Sequence, residues 1–174
     1  MRNLLMTIWD ICRMKAGPQD LPTSRTLVIY AVSSYALVSF ILAMFQLSIG
    51  QAFFAALVDT TIIVVLSYVI LWVKMVPQRW YQMLTAMAGV SLVIALFAAP
   101  MVIVRFMVGP ESANAGVLSL LILGLVVWSF AIFAHIFRHT LDIPYLAALI
   151  ISGIYTYISI RIINILFFTA EIGA

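Results

Sequence analysis

Asp59 and Arg161 are ionisable residues set inside long, otherwise apolar runs, which makes them the positions of this sequence best placed to do chemistry. A charge near the centre of a bilayer costs roughly 2.5–3.5 kcal/mol on insertion scales, so such groups are kept for pairing, for a polar cavity or for a proton or ion path. Asp59 falls seven residues into an apolar stretch that starts at 52, and Arg161 seven residues before the end of one that finishes at 168. At a rise of about 1.5 Å per residue both sit about 10 Å below the same boundary. An Asp59–Arg161 pair is therefore expected if those two stretches are neighbours. Asn164, one turn from Arg161, and Thr60 or Thr61 beside Asp59 would add hydrogen bonds, and Arg105 would act as a second cation or snorkel to lipid headgroups. Such a pair either fixes which helices adjoin or forms a relay or headgroup cavity.

His135 and His139 stand four apart with Asp142 just beyond, so both imidazoles can share one helix face. Two histidines are too few for a closed structural metal site, and the reading here is interfacial polar residues, with no metal and no cofactor. There is no G-x-S-x-G elbow, no H-E-x-x-H and no phosphate-binding glycine loop. The carboxylates outside the two ends of the chain are Asp59, Glu111 and Asp142, and they fall at different depths. The sequence thus offers no catalytic residue, and no enzyme is expected. The single cysteine, Cys12, can form no intrachain disulfide; it reads as a packed apolar residue, with palmitoylation or redox use as the other option.

The elements that must hold these residues follow from composition. Hydrophobic residues make up 66% of the 174-residue chain and charged residues 9%, against about 45–50% and about 25% for a soluble domain. An all-α membrane bundle is expected, with five spans at 26–49, 52–73, 80–107, 117–137 and 144–168. Gly50 and Gln51 leave the first two spans as a tight hairpin, Pro100 lies inside the third, and Pro144 suits the first turn of the fifth. Residues 17–25, with Pro18 and Pro22, form a linker, and 169–174 a short tail. Residues 1–16 carry Leu4, Leu5, Ile8, Trp9 and Cys12 on one helical side, opposed by Arg2, Asn3, Asp10 and Arg13. That stripe suits a helix lying in the membrane interface, with Trp9 and Arg13 as its anchors, or one packed against the body. Asp10, Arg13 and Lys15 break the apolar run that a signal peptide would need, so this segment is expected to be retained.

With the N-terminus inside, seven of the nine Lys and Arg residues gather on the cytoplasmic side and leave Arg105 and Arg161 toward the other. The C-terminus then lies outside. The basic residues are scattered over short loops rather than forming a stripe, so they read as topology determinants and nucleic acid is not an expected partner.

The run Trp128-Ser129-Phe130-Ala131-Ile132-Phe133-Ala134-His135, followed by Asp142-Ile143-Pro144-Tyr145-Leu146-Ala147-Ala148, resembles the final span pair of the bacterial branch of the Yip-domain family. The likeness covers about residues 26–168 and rests on architecture. It implies a bacterial cytoplasmic membrane protein with an adaptor or membrane-shaping role. GTPase binding, associated with eukaryotic members, does not carry over to a chain with almost no soluble N-terminal domain. The expected function is a non-enzymatic scaffold or accessory subunit that meets other membrane proteins, or a second copy, through its spans. The alternative is a small transporter or lipid-handling protein using a polar site around Asp59 and Arg161.

Overall fold

The computed structural model describes residues 4–108 and 115–167. Glu111 and most of the 109–116 connection, the 169–174 tail, and Arg2 and Asn3 lie outside the described residues. All regular elements among those described are helical: α1 (Leu4–Cys12), a 3-10 turn (Pro18–Asp20), α2 (Arg25–Ala43), α3 (Ile49–Val73), a second 3-10 turn (Pro77–Arg79), α4 (Trp80–Val108), α5 (Ala115–Leu141) and α6 (Tyr145–Phe167). Five of these helices, α2 to α6, are long and apolar enough to cross a membrane, which marks the chain as a membrane protein.

The α2–α3 turn comes earlier than the Gly50-Gln51 loop expected from composition. Helix α2 ends at Ala43, and Ser48 starts α3. Gln51 Oε1 accepts from the Ser48 backbone N–H at 3.2 Å and from its hydroxyl at 2.8 Å. Ser48-Ile49-Gly50-Gln51 is an S-x-x-Q cap, which satisfies a first-turn donor that no helical carbonyl can reach. The hydropathy of Met44 to Leu47 hides this break, whereas the cap reveals it.

The opposite end of the bundle gathers the starts of α2, α4 and α6 and the ends of α3 and α5, with Arg25, Lys74, Arg79 and Arg138 among them. Three helices finish alike: Met14, Met75 and Asp142 adopt left-handed φ values of 57°, 59° and 50°. Just beyond each, a backbone N–H reaches back across the last turn: Lys15 to Asp10 O at 2.8 Å, Val76 to Leu71 O at 3.0 Å and Ile143 to Arg138 O at 3.3 Å. These are Schellman ends made without glycine, so terminal carbonyls are satisfied while each left-handed residue costs about 1–2 kcal/mol.

Helix α4 is the hub, touching α1, α2, α3 and α5, while α6 packs on α5 and α3. Its stretch from Met83 to Val90 is buried throughout, and Ile11, Cys12, Leu71, Ile132, Ile136 and Phe137 close around it. Gly89 permits the closest approach: a methyl group added there would come within 2.9 Å of Ile8 Cδ1. Small residues of this kind let helices meet where lipid removes the hydrophobic drive and packing must hold them together.

Helix α1 is accordingly seated on the body. Ile8, Ile11 and Cys12 are buried, while Leu5, Met6 and Trp9 face outward. The Trp9 ring also stacks on Phe97 at 6.2 Å. Gly89 lies about 13 Å along α4 from Trp80, so α1 runs beside the hub at depth. Of the two arrangements its stripe allowed, the packed one is adopted.

Candidate functional site

Asp59 belongs to α3, ten residues from Ile49, and Tyr35 belongs to α2, ten residues from Arg25. Measured from the α2–α3 turn, Asp59 is about 15 Å from the start of α3 and Tyr35 about 12 Å from the end of α2 by count. Across the antiparallel hairpin the two face each other, and the Tyr35 hydroxyl donates to Asp59 Oδ2. Ser39, one turn along α2, lines the same recess as the carboxyl. Tyr155 of α6, buried with its ring against Phe133 and Phe137, comes within electrostatic range from a third helix.

Above this pair a groove of about 360 Å³ runs between α2, α3 and α6 toward Gln46 and Leu47 at the α2–α3 turn, with Ala55 and Ala56 as one wall and Ile163 as another. Asp59 is its single ionisable lining residue. A carboxylate offers about four acceptor positions; the Tyr35 hydroxyl occupies one and the Ser39 hydroxyl is placed to take a second. The remainder of the group faces a space bounded by small and apolar side chains. Chemically, the recess can accept a hydrogen-bond donor or a cation.

The expected Asp59–Arg161 pair does not form. Among the described residues the ion pair present is Arg79–Asp142 at 2.7 Å, and Arg161 lies on an exposed face of α6. Helices α3 and α6 do adjoin, but the depths do not match. Helix α3 starts at Ile49 rather than 52, which puts Asp59 about 15 Å from that end, whereas Arg161 is about 9 Å from Phe167. An Arg that close to a helix end can reach the headgroups along its own stem. Asn164 is likewise on the exposed side.

The other supporting residues are also engaged away from Asp59. Thr60 Oγ1 donates to Ala56 O and Thr61 Oγ1 to Leu57 O, both at 2.7 Å within α3. Arg105 Nη1 donates to Ser119 Oγ at 3.2 Å and lines a second groove, of about 610 Å³, between α4, α5 and the α2–α3 turn. Gln46 borders both grooves. At the N-terminal segment, Arg13 is exposed and Trp9 is 41% exposed against Phe97.

The histidines tie the linker to α5. His135 Nε2–H donates to Ala16 O at 3.0 Å, and Gln19 Nε2 donates to His139 Nδ1 at 3.5 Å. No group of three or more His, Cys, Asp or Glu gathers among the described residues. Cys12 is fully buried, and burial pushes its thiol up to about 11. A protonated, enclosed thiol is a poor acceptor for acylation or oxidation.

Tyr35 is the residue that counting depths from the span ends missed. Tyr35 and Asp59 are each twelve residues from Leu47, so the symmetry of a hairpin centred on that turn pairs them. Comparison with family models, with curated proteins and with solved structures finds no match to this chain.

Proposed function

We propose that this chain is a small, non-enzymatic integral membrane protein that handles an amphiphilic ligand carrying a cationic or hydrogen-bond-donating group, bound at Asp59. The observation that supports this reading is the Asp59 carboxyl, held by the Tyr35 hydroxyl with the Ser39 hydroxyl beside it, at the floor of a groove that runs to the α2–α3 turn. A group so costly to place at this depth is kept where it has work to do. Apolar walls suit the body of an amphiphile, and the carboxyl suits its polar end. The positive-inside bias puts the basic end in the cytoplasm and opens the groove toward the periplasmic half of a bacterial inner membrane.

The test is equilibrium binding of tetraphenylphosphonium, a lipophilic cation, to the purified protein in mild detergent. Saturable binding that falls at least about tenfold in Asp59→Asn, with the size-exclusion profile unchanged, is the expected result, since a tenfold loss is about 1.4 kcal/mol. Equal binding by the wild type and Asp59→Asn would overturn it.

A scaffold that engages other membrane proteins is the second reading, in keeping with the Yip-like resemblance. It is favoured by a recess of about 400 Å³ on the outward side of α2 and α3, where Ser33, Ala36 and Phe40 meet Ala56 and Leu57. Small and hydroxyl residues in such a recess suit a neighbouring helix. In a scaffold Asp59 would only fix the α2–α3 packing, and Asp59→Asn would lower stability while a copurifying partner stayed bound.

A further inference from the structure

We infer that the cleft between α3 and α6 at the basic end is a binding site for one anionic phospholipid, with an acyl chain in the cleft and its phosphate at Lys74. The cleft has a volume of about 300 Å³ and is walled by Leu66, Ile70 and Val73 of α3 and Ile151 and Ile154 of α6. From Lys74 to Leu66 it follows α3 for about 12 Å, close to the roughly 15 Å depth of one leaflet's hydrocarbon. An acyl chain entering from the basic end fills that length.

Lys74 supplies the second half of the argument. It is the C-cap of α3 and the sole charged residue on the cleft lining. The left-handed residue Met75 ends the helix immediately after it. The cations of this end are not equivalent. Arg79 is neutralised by Asp142 at 2.7 Å and bound to Thr140 O at 2.9 Å, whereas Lys74 has no ion pair with any described residue. An ammonium at the mouth of an apolar cleft is complementary to a headgroup phosphate whose chain lies inside. A zwitterionic lipid cancels much of that attraction with its own ammonium, so selectivity for anionic lipid follows.

Native mass spectrometry of the full chain, released from nanodiscs with equal phosphatidylglycerol and phosphatidylcholine, tests the site. The wild type is expected to retain phosphatidylglycerol over phosphatidylcholine by about fivefold, the worth of one Lys near a charged membrane surface. Lys74→Gln should level that ratio, Lys74→Arg should keep it, and Arg25→Gln, a charge loss at the same end but off the cleft, should also keep it. Ile154→Trp, at a position already 55% exposed, should block the cleft and reduce both retained lipids. A preference that survives Lys74→Gln, or that Arg25→Gln erases equally, overturns the headgroup site. Undiminished lipid in Ile154→Trp overturns the chain site.

Discussion

The basic end of the bundle and the opposite half are built by different rules. At the basic end, polar groups reach across elements. Arg79 joins the start of α4 to the end of α5, Gln82 donates to Leu21 O at 2.8 Å, His135 holds Ala16, and Trp80 Nε1 donates to Ser67 Oγ at 3.2 Å. The buried stretch of α4 and the seated α1 lie in this half. Toward the α2–α3 turn fewer such cross-links join the described residues. There the grooves at Asp59 and Arg105 open, and α5 exposes Val117, Leu120 and Leu123. One half thus carries the stability and the other carries the space. Regions that bind ligands are drawn from the less tightly held part of a structure.

That contrast can be broken most severely at Gly89. Gly89→Leu places a branched side chain where a single methyl already meets Ile8 and should cost about 3 kcal/mol, in the upper range for overpacking. It should also unseat α1. Maleimide labelling of Cys12 at pH 8, slow in the wild type because the thiol is buried and its ionisation is pushed up to about 11, should then become fast. The sign of the linkage is fixed as well. With the folded value above the ordinary 9.0, this thiol's contribution is complete below pH 9 and fades as pH rises toward 11.

Tyr35→Phe comes next and acts in the other half. Removing the donor from a buried acceptor should cost about 1.5 kcal/mol, read as a lower melting temperature in detergent. Cys12 labelling should not change, which separates the two halves. Met75→Gly sharpens the comparison from the stabilising side: relieving a left-handed methionine should gain about 1 kcal/mol, seen as a higher melting temperature. Arg79→Gln should have the smallest effect, about 0.5 kcal/mol, because an exposed ion pair is screened. Measured at low and high salt, most of its difference should disappear at high salt.

The five spans were legible because hydropathy and loop charge report them directly. The boundaries that fix the site were less so. Met44, Phe45 and Leu47 continue the apolar run with Gln46 alone interrupting it, so the turn was visible chiefly through the Ser48–Gln51 cap, and missing it shifted the apparent depth of Asp59 by three residues. That shift created an apparent match with Arg161. Counting from the true turn would have picked out Tyr35 instead. The helix ends at Met14 and Met75 were not legible, because a methionine in a left-handed cap has no sequence signature; glycine is the usual choice. The seat of α1 on Gly89 was beyond reach for another reason. It is a contact between residues about eighty positions apart, and periodicity speaks only of neighbours.

The separation of Ile8 from Gly89 also sets an order of events. The ribosome delivers α1 well before α4, so Ile8, Ile11 and Cys12 enter the membrane environment with no surface to cover them. Through the synthesis of α2, α3 and the first turns of α4, the groove that will receive α1 does not yet exist. Docking is therefore a closing step of assembly, and until it happens the α4 face at Gly89 is open to any other helix that presents an Ile8-like ridge.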